Sequence, residues 1–561
     1  MNMYKIVHMR GFLTYSPGVS PLAVCSIGAT CAAVLALAPA LPATAATVES
    51  GRTQRSATAS RPAEAGIPGS TRSLPLVPLS RERVLGAAPA QGLYRTGLDR
   101  FALVGVVWDD PGTELHGRVQ VRTRSVVKRA WSGWQDVETH NADHGADPGT
   151  PEHASRQLRG ATAPLWVGAS DGVDVRVRAD GTGGAVGTGD GAGGADDGAG
   201  GADDGAGGTD AGDGGNSSKN GRNSENGENS ENSRNSENGE NSENGENGEN
   251  SENSENSKSG EGGAGRRAAA PRSPLPSGLR LELVDPGDEA GEGTDPGEAV
   301  PADLPADEPP RTELDTEAAI AASGANSDIT AFGATEIPEL DQSATEDELI
   351  RLQGPTRTKP YIGPRPRIVT RRGWGADESL RERGFAYTKK IKAAFVHHTA
   401  TGNKYTCAQA PSVIRGIYRY HVKSMGWRDV GYNFLVDKCG TIYEGRAGGV
   451  AKAVLGAHTL GFNTNSMGIA VIGTYGTSKP AAAAVTAVAR LTAWKLGLYG
   501  VNPSGKTYLT SGGGNLYPKG KNVRLNVISG HRDGFATECP GKRLYAKLGT
   551  VRSSAARYQG R

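Results

Sequence analysis

The stretch from about Gly181 to Gly265 constrains the fold most, because it is built of Gly/Asp/Ala tracts followed by near-repeats of Asn-Ser-Glu-Asn and Asn-Gly-Glu-Asn. With almost no apolar side chain it cannot offset the entropy of ordering, so it is expected to be disordered. What flanks it is different. Val173, Val175 and Val177 alternate before it, and Leu279, Leu281 and Leu283 alternate after it, the period of a strand with one apolar face. The tract therefore reads as an insertion in a hairpin, and the two sides form one small all-β domain of discontinuous sequence, residues 93–180 plus 273–286, around an insertion at 181–272. Further β-like segments are Phe101 to Trp108, Leu115 to Arg124, Trp131 to Val137 and Ala163 to Val167. Trp108, Trp131, Trp134 and Trp166 are read as core or edge packing in preference to a sugar-stacking face. The sequence names no ligand for this domain. Residues 46–92 read as linker or disordered chain, and 287–356 as a second linker, acidic and Pro-rich, in which Leu349 to Leu352 is assigned no fixed structure.

The N-terminus speaks for export. Lys5 and Arg10 precede an apolar stretch from about Leu22 to Leu41 that ends in Ala43-Thr44-Ala45, the pattern of a secretory signal, residues 1–45, cut after Ala45 or Ala46. An uncleaved anchor is the alternative, and Pro39 and Pro42 speak against it. No second apolar run of that length follows, so no membrane span is expected after cleavage, and a monomer located outside the cell or on its wall is. Removal of Cys25 and Cys31 leaves Cys407, Cys439 and Cys539, an odd number for an oxidising compartment. A metal at Cys539 would leave Cys407 and Cys439 to pair, while other pairings, including an intermolecular bridge through Cys539, stay open.

His531-Arg532-Asp533 is followed eight residues after its histidine by Cys539-Pro540-Gly541, and His397 ends the apolar run Ala393 to Val396. His531 ends a similar run, Asn526 to Gly530. Both are strand-end positions able to aim side chains into one cleft. Two imidazoles and one thiolate suffice for a Zn2+ ion with its fourth position open, as catalytic zinc requires.

Around these residues the chain resembles the peptidoglycan recognition proteins of the type-2 N-acetylmuramoyl-L-alanine amidase superfamily, in the form of secreted actinobacterial amidases. The resemblance covers about Arg371 to Leu548 and rests on ordered motifs: Arg371 to Ala376, Val396 to Ala400, Trp427 to Phe434, Ile442 to Arg446, Gly456 to His458, Ser466 to Ile469, and His531 to Gly541. It implies an α/β domain at 357–561, a central mixed β-sheet flanked by helices with a zinc-floored groove. It implies His397, His531 and Cys539 as ligands, Tyr432 as the active-site tyrosine, and Thr537 where relatives help to hold the oxyanion. His458 matches a groove histidine that is not a ligand, and His398, by period two, points to the other strand face. Gly426, Trp427, Asn433, Arg446 and His458 are the expected substrate contacts. The general base is left open among Tyr432, Thr537 acting through water, and His458, and Asp533 is either a support for an imidazole or a turn cap. The implied activity is zinc-dependent hydrolysis of the amide between the lactyl group of N-acetylmuramic acid and L-alanine. The rival is a non-catalytic peptidoglycan-binding or wall-organising protein.

Charge adds a partner class. From Arg357 to the end there are 33 Lys/Arg against 8 Asp/Glu, a surplus of 25, although the whole chain carries a formal charge of only +1. A basic domain outside a cell suits peptidoglycan and anionic wall polymers. Nucleic acid is not expected, since no recognition motif is present. Gly426-Trp427 together with Arg446 resembles the recognition proteins that prefer diaminopimelate stems, and the resemblance implies that Arg446 meets their extra carboxylate, which a guanidinium can bind through two parallel bonds; the alternative is that Arg446 serves only the surface charge or a hairpin contact. Two amphipathic helices are expected after Pro411 (Val413, Ile417, Tyr420) and after Pro480 (Val485, Val488, Leu491, Trp494, Leu498). His421 is read as a packed histidine and Thr510 to Gly514 as a surface loop.

Overall fold

The computed structural model describes residues 69–79, 90–139, 143–155, 157–180, 274–287, 316–355 and 357–561. The expected signal segment and the low-complexity tract lie outside them. Eight strands build the first domain: β1 (Ser70–Pro75), β2 (Val77–Pro78), β3 (Ala90–Trp108), β4 (Gly117–Ser125), β5 (Gln135–Val137), β6 (Gly160–Ala161), β7 (Leu165–Ala179) and β8 (Arg280–Asp285). The sheet is antiparallel, with the path β1-β8-β3-β7-β4-β5 and with β2 and β6 attached to β3. The strand after the low-complexity tract, β8, pairs with β1 and β3 and not with β7, which lies on the other side of β3. The two strands that flank the tract in sequence are therefore not the two arms of one hairpin. β1 and β2 fall in the stretch expected to be linker. Their short, Pro-bounded segments carry little periodicity, and the long register with β8 supplies what the local pattern lacks.

The second half of β3 and the middle of β8 are buried on both faces, which is why Phe101 to Trp108 reads as a continuous apolar run and not as an alternation. Val104, Val106, Leu281 and Leu283 join Val119, Val121, Val173, Val175 and Val177 in the domain's own core. Leu103, Val107 and Val284 face the other way, into a cluster with Val413, Ile414, Ile417 and Tyr420 of the C-terminal domain. Of the four tryptophans weighed from sequence, Trp108 and Trp166 are buried. Trp131 and Trp134 form an edge layer with the guanidinium groups of Arg122 and Arg176.

The second domain continues with α1 (Glu317–Gly324), β9 (Glu336–Ile337), α2 (Gln342–Gln353), β10 (Ile368–Val369), β11 (Ala393–His398), α3 (Ala410–Arg419), β12 (Phe434–Val436), β13 (Ile442–Glu444), β14 (Ser466–Val471), α4 (Ala482–Gly497), β15 (Lys506–Thr510), β16 (Asn522–Asn526), β17 (Ile528–Gly530), α5 (Lys542–Tyr545) and α6 (Leu548–Tyr558). Seven of these strands form a mixed sheet in the order β17-β11-β14-β12-β13-β10-β9. β17, β11, β14 and β12 run parallel, so the C-terminal ends of β11 and β17 open on one edge, where ligands gather in open α/β sheets. Both expected helices form: α3 opens at Pro411, and α4 puts Val488, Leu491 and Trp494 into the core.

α1 and α2 correct the linker reading at 287–356. Thr316 and Asp341 cap them through side-chain bonds to Ala319 N–H and Ala344 N–H, and Leu349 is buried in the main core. A caps-and-burial signal of this kind is weak in an acidic sequence with few apolar residues. Glu348 explains part of it, since it is buried in an ion pair with Arg365. The same logic holds the Arg371 to Ala376 motif: Arg371, 2% exposed, meets Glu378 at 2.7 Å and Asp429 at 3.1 Å, and Trp374 donates to the Glu444 carbonyl.

Cys407 and Cys439 form a disulfide, with Cα atoms 6.2 Å apart. It ties the loop before α3 to the β12–β13 turn. Closing a separation of 32 residues limits the unfolded chain by about 3–4 kcal/mol in the loop-entropy account. Cys407→Ala with Cys439→Ala is therefore expected to lower unfolding free energy by about that amount in a denaturant melt; a loss under about 1 kcal/mol would show that the bridge closes a loop already held by packing.

Candidate metal centre and groove

His397 is the fifth residue of β11, and its register with Ala470 of β14 fixes its direction at the sheet edge. One ring nitrogen, Nε2, lies 3.3 Å from Nδ1 of His458 and 3.4 Å from Thr459 Oγ1, which leaves Nδ1 facing the Cys539 sulfur at 3.8 Å. His531 follows β17 directly and begins a short 3-10 turn. Gly530 before it is crowded: a Cβ there would meet the Tyr545 ring at 2.7 Å. The eight-residue return to Cys539 is closed by the Arg532 N–H donating to the Cys539 carbonyl at 3.1 Å. Asp533 accepts from Gly530 N–H and from the Tyr545 hydroxyl, which makes it a turn cap. These contacts turn a linear spacing into a cluster of two imidazoles and one thiol, all buried.

A third imidazole joins them. His144, from the loop between β5 and β6 of the first domain, places a ligand atom in one group with His397, His531 and Cys539, all four atoms lying within 4.8 Å of one another. Its Nδ1 meets its neighbour Asp143 at 3.0 Å. The Asp143 carbonyl takes up His531 Nε2 at 3.1 Å. His144 Nε2 and His531 Nδ1 are buried atoms with no hydrogen-bond partner. Unpaired buried nitrogens of this kind are costly unless something else engages them, and soft nitrogen and sulfur donors suit zinc. The donor set fits that ion. Burial, together with neighbouring imidazoles, pushes the His397 pKa well down, so the ring is neutral and available as a ligand. Burial pushes the Cys539 thiol up, a bias that a divalent cation reverses.

The other expected residues divide. Tyr432 lines the cluster, its ring 5.5 Å from that of His397 and 5.7 Å from that of His144. Thr537 lies on the His531–Cys539 return, where its hydroxyl accepts from the Cys539 N–H and bonds the Asp143 carboxylate. His458 is wholly buried behind His397, within reach of Thr459 and Ser466, and so orients the ligand without reaching the groove. Asn433 is likewise committed inward, donating to the Val454 carbonyl and accepting from Gly468 N–H. Trp427 is buried against His421 at 4.5 Å between ring centres. His398 turns away from the cluster, with Nδ1 accepting from Tyr475 N–H and Nε2 3.6 Å from Glu138.

Gly426 and Arg446 meet the first domain. At Gly426, with φ of +79°, an added Cβ would lie 2.2 Å from the Gln157 carbonyl, so the backbones pass too closely for a side chain. Arg446 is 7% exposed and makes two 2.8 Å bonds to Glu152. Burial weighs against both charges, and their mutual attraction more than offsets it: the Glu152 pKa is lowered and that of Arg446 raised. Asp143, His144, Asp147 and Glu152 are the functional-site neighbours that the sequence reading missed.

A mixed sheet flanked by helices, with two histidines and a cysteine grouped at its C-terminal edge as a metal ion could be held, is the arrangement of an α/β hydrolase or recognition domain. Residues 387–542 match the N-acetylmuramoyl-L-alanine amidase family, and residues 53–202 match a family described as Rv3811 N-terminal galactose-binding domain-like. Peptidoglycan-recognition protein SC2 of Drosophila simulans is 30% identical over 183 residues, covering 33% of this chain and 85% of the relative. Peptidoglycan-recognition protein 1 of Holotrichia diomphalia is 28% identical over 194 residues, 34% of this chain and 83% of the relative. Among solved structures, wild-type Drosophila PGRP-LB is 26% identical over 33% of this chain and 92% of its own, with a TM-score of 0.26. The chain belongs to the peptidoglycan recognition protein and type-2 amidase family.

Proposed function

We propose that this chain is a secreted, zinc-dependent N-acetylmuramoyl-L-alanine amidase that cleaves the bond between the lactyl group of N-acetylmuramic acid and the L-alanine of stem peptides. The observation that carries the reading is the convergence of His397, His531 and Cys539, all buried, with His531 Nδ1 left without a hydrogen bond and the Asp143 carboxylate near it at 3.7 Å. A binding module needs no such set, because recognition can rest on groove contacts alone. Zinc held there would supply a Lewis acid for the amide carbonyl and a water nucleophile near neutral pH. The protein's part is positional. His458 and Thr459 fix the His397 ring, Tyr432 donates toward the oxygen on which charge develops, and Thr537 is assigned to the same task. The loop between β5 and β6 lies over the site and brings His144 beside the candidate ligands.

The test is digestion of purified peptidoglycan by the zinc-loaded chain and by its His144→Ala form, with new termini identified by mass spectrometry. Stem peptides beginning at a free L-alanine amine are expected. Zinc-loaded protein that binds peptidoglycan and yields no such termini in either form would assign it to the recognition branch of the family.

Substrate choice rests on Arg446. Once Glu152 is displaced, its guanidinium has the geometry to take a stem carboxylate in the same two-bond manner. A charged hydrogen bond of about 1.5–3 kcal/mol predicts that Arg446→Ala lowers the ratio of kcat/KM for diaminopimelate over lysine muropeptides roughly 10- to 100-fold, with zinc content unchanged. The ratio is the right readout, since loosening of the Glu152 contact affects both substrates alike. An unchanged ratio would assign Arg446 to holding the β domain.

A further inference from the structure

The loop between β5 and β6 does more than touch the catalytic domain. Over residues 143–155 its buried acidic and imidazole groups each meet a feature of the groove. His144 stands with the three candidate ligands. The carboxylate of Asp147, 7% exposed, accepts from Gly461 N–H at 2.9 Å and from the Asn463 side chain at 2.7 Å. Glu152 holds Arg446 through both oxygens. Backbone bonds lock the same strip: Leu460 N–H donates to the Asp143 carbonyl, Arg159 N–H to the Met425 carbonyl, and Trp166 N–H to the Thr401 carbonyl. Behind them Tyr420 donates to the Thr162 carbonyl, and Ser424 to the buried carboxylate of Glu282. An interface of charged groups that are buried and paired is a specified fit, because leaving any one of them unpaired is strongly penalised.

We propose that His144 is a fourth protein ligand of the metal, and that the 143–155 segment thereby holds the full chain in a closed, latent form. Three observations support it independently. His144 Nε2 is buried, without a hydrogen-bond partner, and belongs to the four-atom group. Its other nitrogen is held by Asp143, the arrangement that orients a ligating imidazole. Glu152 sits on Arg446 as a carboxylate, which is the chemistry proposed for the substrate at that residue. A zinc with four protein ligands is a closed site, whereas catalysis needs one position open. Opening therefore requires the segment to leave, by displacement when polymeric substrate competes for the groove or by cleavage of the covering domain. No atom is transferred and no redox change occurs; an imidazole is exchanged for water.

This inference rests on the zinc reading above, so its test counts ligands as well as turnover. The full chain and its His144→Ala form are loaded with zinc and compared by X-ray absorption, by the rate of zinc transfer to a chelator, and by cleavage of a soluble muropeptide. His144→Phe keeps a ring in contact with His531 and Tyr432 and serves if the alanine form loses its cooperative melt. Three imidazoles are expected in wild type and two in the variant, with zinc leaving the variant at least tenfold faster and cleavage rising at least tenfold. Two imidazoles in both proteins, or equal transfer rates, would overturn the fourth ligand while leaving the amidase reading intact. Loss of one imidazole with no cleavage by either protein would support the fourth ligand and sink the amidase reading. No zinc in either protein would overturn both.

Discussion

Cys539→Ala is expected to reduce zinc affinity on the order of 10²- to 10³-fold, since ~10–16 kcal/mol of binding shared among four donors assigns about 2.5–4 kcal/mol to each. Turnover should fall below detection. The sulfur is buried and accepts from the His398 N–H at 3.4 Å, so its position is fixed by the backbone of β11. Alanine leaves the loop closure between Arg532 N–H and the residue 539 carbonyl in place, which separates ligand loss from misfolding. His397→Ala and His531→Ala should behave alike. The measurement is zinc content after exhaustive dialysis together with muropeptide cleavage, made in both the wild-type and His144→Ala backgrounds. In the second background only two imidazoles remain, too few to retain the ion. Full activity of metal-free protein would remove zinc from the chemistry.

The residues that make this site were legible where chemistry and period coincide. His397 and His531 were placed because each closes an apolar strand, and β11 and β17 do lie side by side and parallel. The two long helices declared themselves through Pro411, Pro480 and their apolar spacing. The sequence was silent where a structure depends on partners far away in the chain. β1 is recognisable only once β8 lies beside it, some two hundred residues later. α2 looks like acidic linker until Glu348 is paired with Arg365. Asn433 and His458 read as groove residues from their motifs, yet both spend their polar atoms holding the sheet and His397. His144, Asp147 and Glu152 stand in an unremarkable polar loop. A faint signal did exist, since the loop is acidic and the domain it covers carries the surplus of 25 positive charges, but charge balance names a sign and not an address. Arg446 illustrates the difference: it is expected from sequence to meet a substrate carboxylate, and in the structure the carboxylate it holds through two bonds is Glu152 of the chain itself.

Tyr432→Phe is expected to keep zinc and fold while lowering kcat about 10²- to 10³-fold, the effect of removing one well-placed donor from a developing oxyanion. Burial, followed by the negative charge of Cys539, Asp143 and Glu138, pushes the phenol pKa well above its ordinary value. The group therefore stays protonated throughout the neutral range and acts as a donor; as a general base it would have to give up that proton first. Phenylalanine preserves the ring packing against His397 and His421 and deletes only the hydroxyl. KM should change little, because the ground-state carbonyl oxygen carries less charge than the oxyanion and gains less from the bond. The comparison is best made in the His144→Ala background, where the ring of His144 no longer shares the space beside Tyr432 and chemistry, not opening, sets the rate. A fall in kcat confined to the wild-type background would mean that the hydroxyl assists release of the 143–155 segment; a fall in both places it at the reacting carbonyl; an unchanged kcat in both would leave Thr537 as the remaining side-chain donor beside the metal.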